Sequence, residues 1–463
     1  MNLQQRISRR DALKIGAVSA AAAGLTLAGC GPSASAGGPT SVNLMTWGDA
    51  TGLKTAFDSI AGIYPSLAKD IKFNVVVAGA NDFDVANAFR LALSSHKNIP
   101  DVIEFNRTQI AEFALSGALR DLSDIISPVK NDLYAGAVQL ASYQGKFVAV
   151  PFQVKSKLFY YRADLFDQAG ITLDDLSTTD GFLTAGQKLH AKFPDKYILN
   201  LGTQPQQYII GELLSAYPGV EFYDKASNSY QITKNPAFSQ AFTFLQQIHG
   251  AGITLPIDDF SNDWAQAFQK EQICGVLCAN WMKAFLPQYS TAAQTGKWKV
   301  VPWPKLSPTL SDQSTGSEAG GSVFVIPANA PHADAAIEYM KHYMLDAKGS
   351  VAQWKQNGVI TPLLKSAQPA VLDFFQNGTK PANVTDASWA LQPQNFFGKD
   401  FQQIEFTSYD SVKVLDYDPS ATKEITILLQ ALENILGGKA GVASALAQAQ
   451  SDMQSQIGNP YQA

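Results

Sequence analysis

Few residues in this chain have the types and spacing for bond-making chemistry. The five histidines, His96, His190, His249, His332 and His342, form no H-E-x-x-H or other local metal pair. Gly316-Ser317-Glu318-Ala319-Gly320 holds its serine one place early for a nucleophile elbow. Neither glycine-rich phosphate-binding pattern occurs. Asp174-Asp175 and Asp258-Asp259 are adjacent acids in turn-like surroundings, where capping or solvation is the ordinary role. Cys274 and Cys278 stand four apart; on a strand their Cα atoms lie about 13 Å apart, beyond the roughly 7 Å a disulfide spans. Both therefore read as buried small hydrophobes. No metal, cofactor or catalytic group is expected. A second set of residues suits recognition instead: Trp47, Asp49, Asn81, Asp82, Asn106, Arg107, Gln153, Trp281, Trp303, Gly320 and Gly321. Flat rings, amides and bare backbone hold a neutral polar molecule by stacking and convergent hydrogen bonds.

Such residues need strand ends to position them. Val42–Trp47 alternates like a strand, and Leu53, Phe57 and Ile60 follow at helical spacing. Ile71–Ala78 is a second strand, and Phe83, Ala86, Phe89 and Leu93 a second helical stripe. Asp101–Phe105 is a third strand behind Pro100, followed by a helix from Ile110. That alternation predicts an α/β layer with parallel strands covered on both faces. Gly145–Pro151 reads as a strand ended by its proline, and Leu158–Tyr161 as another. A further α/β series runs to about 305, with a helix starting at Asn235-Pro236 and strands at Ile273–Ala279 and Trp298–Val301. Ser307–Ser317 looks like a connection; Ser322–Ile326 is a strand, Ala333–Met344 a helix, and the rest is mostly helical. In open α/β sheets, ligands sit at loops after the carboxyl ends of strands. Trp47, Asp49, Asn81, Asp82, Asn106, Arg107 and Trp281 occupy such places, and Gln153 and Lys155 lie just past the proline at 151.

The charge is unevenly spread. Over 463 residues, Lys+Arg is 35 and Asp+Glu 40, a net of −5. Residues 1–29 carry Arg6, Arg9, Arg10 and Lys14 against Asp11 alone, so they are net +3 and the remainder −8. An acidic body argues against general nucleic-acid binding. With 46% hydrophobic residues it can bury real cores, enough for two or three domains. Its basic start and short Ala-rich apolar run to Gly29 read as a secretory signal. Arg9-Arg10 resembles a twin-arginine signal, with Ala12 where that pattern usually has Phe, so general secretion is the other route. Leu27-Ala28-Gly29-Cys30 resembles a bacterial lipobox, which makes Cys30 a lipid attachment point to the bilayer. Residues 30–40, rich in Gly, Ser and Pro, form a tether.

Several segments together carry a family resemblance. They are Trp47-Gly48, Pro100-Asp101-Val102, Gly117–Leu122, Tyr143–Pro151, Leu158–Phe166, Asn280-Trp281, Trp298–Pro304 and Gly320-Gly321-Ser322. In order and spacing the body, from about Val42 to Ile457, resembles the bacterial extracellular solute-binding proteins of ABC importers. The resemblance is to the carbohydrate-binding branch related to maltose-binding protein. It implies an α/β, two-lobed, type II periplasmic-binding-protein-like fold with ligand in the cleft. Lobe 1 would be 41–151 plus 318–355, and lobe 2 152–317 plus 356–463. It further implies a non-enzymatic, monomeric protein with a carbohydrate ligand and membrane permease subunits as partners. The location would be exported and lipid-anchored, facing the periplasm or cell exterior.

Each site residue also has a plainer role. Trp47 and Trp281 are core tryptophans or stacking surfaces; Trp303 stands between the two; Trp264 and Trp354, on helices, are packing residues. Asp49, Asn81 and Asn106 are ligand contacts or helix caps, and Arg107 binds an anion or pairs with an acid. Two other functions compete: a binder of a non-sugar solute such as a polyamine, peptide or glycerol phosphate, and a secreted lipoprotein hydrolase. A sensory lipoprotein is a third.

Overall fold

The computed structural model describes residues 38–463 apart from 49, 177, 206–207, 216, 218, 304–320, 358–359, 381–384, 413 and 463. The signal and lipobox, Cys30, Asp49, Gly320 and the 307–317 connection therefore lie outside the described residues. Two sheets are built from β1 (Thr40–Trp47), β2 (Ile71–Gly79), β3 (Val102–Asn106), β4 (Val150–Gln153), β5 (Lys157–Arg162), β6 (Leu199–Asn200), β7 (Thr254–Leu255), β8 (Gly275–Ala279), β9 (Trp298–Pro302) and β10 (Ser322–Val325). The first sheet runs β2-β1-β3-β10-β4. Its β1 pairs in parallel with β2 and β3, and β10 pairs antiparallel with β3 and β4. In the second sheet β6 and β7 are parallel, a parallel bridge between Tyr197 and Ile273 joins β6 to β8, and β5 pairs antiparallel with β8 and β9. The three-stranded β8-β5-β9 and the β6-β7 pair, linked only through that bridge, thus follow in the order β7-β6-β8-β5-β9, the same succession of parallel and antiparallel neighbours as the first sheet. The chain passes from the first sheet to the second through residues 154–156 and returns through 303–321.

The α/β expectation holds, and so do most of the elements. Helices fill Thr51–Ala61, Asp82–Ser95 and Arg107–Leu115 between the parallel strands. Asn235 caps the helix Pro236–Gly250, its side chain accepting from the Ala237 amide, with Pro236 in the first turn. Cys274 and Cys278 are buried free thiols. Trp264 and Trp354 are core residues. Two local expectations fail for the same reason, the position of a strand in its sheet. Pro151 does not end its strand but sits inside β4, tolerated because β4 is an edge strand and its missing N–H leaves no interior ladder gap. β2 is the opposite edge, not covered on both faces: Val76 and Val77 are 46% and 48% exposed.

Aromatic packing fastens the helices to the sheets. Phe57 stacks on Phe73 and Tyr343 at 4.6 and 4.4 Å, fastening the first helix and the helix Ala333–Met344 to the first sheet. Each fully buried ring of this kind stabilises by about 1.5–3 kcal/mol. Beside the crossing at 154–156 lies a buried polar network. Lys283 Nζ donates to Glu405 Oε1 and Oε2 at 2.8 and 2.9 Å and to Thr361 Oγ1 at 2.5 Å. Asn280 Nδ2 reaches Glu405, the Tyr409 hydroxyl and the Val154 carbonyl at 2.5, 2.8 and 3.2 Å. The network ties the end of β8, the helices Met282–Tyr289 and Phe401–Ser411, and the crossing segment together.

Candidate ligand-binding site

Both sheets carry the expected site residues at or just after strand ends. From the first sheet come Trp47, the Gly79–Asp82 turn, Asn106-Arg107, Gln153 at the end of β4 and Gly321 at the start of β10. From the second come Asn200, the loop 256–261 and Asn280-Trp281. Lys155 Nζ donates to Asn106 Oδ1 at 3.1 Å, and the Asn280 amide donates to the Ser156 carbonyl at 2.9 Å. Asn106 of the first sheet and Asn280 of the second thus both contact residues 154–156.

On the first sheet, several predicted residues carry a structural load. Asn81 caps the helix Asp82–Ser95 in a reciprocal box with Asp84. Gly79 makes room for it, since a Cβ there would sit 2.2 Å from Asp84 Oδ2. Asp82 is buried and accepts from Gln109 Nε2 at 2.8 Å. Gln109 Oε1 in turn accepts from the Asn106 amide at 2.8 Å. Asn106 Oδ1 accepts from Ser322 Oγ at 3.1 Å as well as from Lys155. The Arg107 guanidinium donates to the Ser142 carbonyl at 2.8 Å and meets Asp416 at 3.4 Å. The Gly321 carbonyl accepts from the Arg107 amide at 2.9 Å. Trp47 is half-buried at the end of β1. Gln153 is 6% exposed, and its Nε2 lacks a hydrogen-bond partner among the described residues. A buried amide donor left unpaired is costly, which suits it to an incoming acceptor.

The second sheet supplies the aromatic surface. Trp281 is half-buried among Phe260, Tyr208 and Phe285, with ring centroids at 5.8, 5.9 and 5.6 Å. Phe260 is nearly parallel to Trp281, at 24°, and Tyr208 stands edge-on to both. Phe260 and Tyr208 escaped the sequence reading because β6 and β7 are only two residues long and leave no periodic signal. The acid pair Asp258-Asp259 was visible and marks the same loop. Its roles are now clear. Asp259 accepts from Asn200 Nδ2 and from the Tyr208 hydroxyl, each at 2.6 Å. Asp258 Oδ1 accepts from the Gln204 amide at 3.0 Å, packed where any Cβ on Gly202 would collide with it at 1.8 Å. Trp303 lies behind this layer, 2% exposed. The Lys157 ammonium covers its ring at 3.2 Å from the centroid and also donates to the Glu212 carbonyl, so that face is already taken.

Burial sets the electrostatics. Desolvation pushes the Glu104 carboxyl up to about 7, against the opposing pull of the Thr46 hydroxyl, which donates to it at 2.6 Å, and of Lys155. Burial likewise raises Asp259, with the Tyr208 and Asn200 hydrogen bonds opposing. Among the described residues no group of three or more His, Cys, Asp or Glu side chains has the arrangement of a metal site. Rings, amides and hydrogen-bonded carboxyls thus cluster at the strand ends of the two sheets.

Known proteins share both sequence and shape with this chain. It is similar to the lactose-binding protein of Rhizobium radiobacter, 25% identical over 338 residues, covering 71% of this chain and 77% of that one. The arabinooligosaccharide-binding protein of Bacillus subtilis is 23% identical over 379 residues, covering 77% and 83%. Among solved structures, the galacto-N-biose-/lacto-N-biose I-binding protein of the ABC transporter from Bifidobacterium longum superposes with a TM-score of 0.72 at 19% identity. It covers 92% of this chain and 98% of its own. That likeness carries the fold, a two-lobed α/β architecture. Residues 66–383 match the family described as bacterial extracellular solute-binding protein, and the chain belongs to that family.

Proposed function

We propose that the protein is the extracytoplasmic substrate-binding component of an ABC importer, capturing a sugar or oligosaccharide between its two lobes. The observation that carries this reading is the Trp281–Phe260–Tyr208 aromatic surface at the strand ends of the second sheet, with the buried Gln153 amide of the first sheet left without a partner among the described residues. A sugar ring has apolar C–H faces and a hydroxyl rim, so it needs rings on one side and convergent donors and acceptors around it. The names of the lactose- and arabinooligosaccharide-binding relatives support the same ligand class. Ligand selects the closed state by touching both lobes at once, and the permease reads closure. Lobe 1 is 41–153 with 318–355 and lobe 2 is 154–317 with 356–463, the boundary expected at 151 moving because β4 runs Val150–Gln153 in the first sheet. The protein works as a monomer and turns nothing over. Trp47, Trp281 and Gln153 contact the ligand, while Asn81, Asp82, Asn106 and Arg107 hold the loops that carry the contacts. The first 29 residues are the export signal. Cys30 carries lipid, and residues 30–40 tether the body to the membrane surface. Among the described residues no helix is long and apolar enough to cross a membrane.

Intrinsic tryptophan fluorescence against a panel of sugars, amino acids, peptides and polyamines tests the ligand class. A saturable change with one or more sugars is expected. Silence with every sugar beside a response to an amino acid, peptide or polyamine would overturn it.

A further inference from the structure

Phe260 is a bulky residue held where the backbone favours glycine. Its φ is 62°, a region that large side chains avoid. The turn is fixed from both sides. Asn200 and Tyr208 grip the Asp259 carboxylate at 2.6 Å each. Ser261 Oγ accepts from the Trp264 amide at 3.1 Å and donates to the Asp258 carbonyl at 2.8 Å. The held turn leaves an apolar ring 49% exposed. The ring packs on Trp264, Trp281, Tyr208 and Phe285 but leaves half its surface in water, so folding gains only part of a ring's burial energy while the backbone conformation opposes it; the open half is available to a ligand. The ring is 24° from parallel with Trp281 at 5.8 Å, and Tyr208 stands edge-on to both at 6.5 and 5.9 Å. Together they make a stepped aromatic surface wider than one six-membered ring.

We infer that Phe260 sets ligand length. It takes the apolar face of a second sugar ring beside one on Trp281, so the ligand is a disaccharide or longer. This deepens the sugar reading and rests on it. Calorimetric titration with matched pairs tests it: galactose against lactose, glucose against maltose and maltotriose, and arabinose against arabinobiose. For the sugar type that binds, the disaccharide Kd is expected at least tenfold below that of its monosaccharide. F260G suits the φ of 62° and removes the ring. It should weaken disaccharide binding about tenfold and shrink the ratio, without lowering the melting temperature. F260Y should keep the ratio within about twofold of the native value. Equal affinities for the two lengths, or a ratio unchanged in F260G, would overturn this inference and leave the sugar reading standing. No heat with any sugar would overturn both.

Discussion

Trp281 stands at the carboxyl end of a strand of five residues, with four consecutive apolar positions before Asn280, which is why its place was legible in the sequence. Phe260 was not, because its position depends on hydrogen bonds that Asn200 and Tyr208, from distant parts of the chain, donate to the neighbouring Asp259. Side chains at ring centres of binding surfaces often contribute 2 kcal/mol or more. W281A is therefore expected to weaken sugar binding by roughly thirty-fold with little change in melting temperature, measured by calorimetry and thermal unfolding. Glu104 makes a second residue-scale prediction. Burial raises its folded pKa to about 7, above the ordinary glutamate value of 4.5. The native state therefore binds the proton more tightly than the unfolded chain does. Between about pH 4.5 and 7 the unfolded state loses that proton first, so this group costs stability progressively as pH rises, up to about 3 kcal/mol. E104Q should lack that cost. Its unfolding free energy should match the native protein near pH 4.5 and exceed it near pH 7.5, and parallel pH profiles would contradict the assignment.

Lys283 and Glu405 belong to two helices that the sequence pattern located only loosely, and their pairing is a contact across 122 residues that no local signal announces. Both are buried, at 1% and 0% side-chain exposure. Burial lowers the Lys283 pKa while Glu405 opposes the shift. Removing one partner leaves an uncompensated buried charge, which costs about 3–5 kcal/mol, whereas an apolar pair of similar volume is tolerated. K283M should lower the urea midpoint markedly, and K283M/E405L should recover most of the loss. Because Asn280 hangs on Glu405 and adjoins Trp281, the single variant should also weaken sugar binding. Strands longer than four residues and capped helices were readable from alternation, proline and Asn signals. Pro151 misled because a proline marks an edge as readily as an end. The two-residue strands β6 and β7 were invisible because they are defined by their partners rather than by their sequence.

At the scale of the whole molecule, the succession of parallel and antiparallel neighbours occurs twice, and two chain crossings join the sheets. The family resemblance conveyed this two-lobed plan; periodicity alone reached only an α/β layer. C30A should release the protein from the membrane fraction into the soluble exported fraction, seen by immunoblot, with sugar affinity unchanged. Closure should appear as a smaller radius of gyration in X-ray scattering when the responding sugar is added. The most direct measurement is a crystal structure with that sugar bound. One sugar ring is expected on Trp281, a second against Phe260, and hydrogen bonds from Gln153 and its neighbours on the first sheet, with both lobes in contact. A sugar held by one lobe alone, or bound away from Trp281, would contradict it.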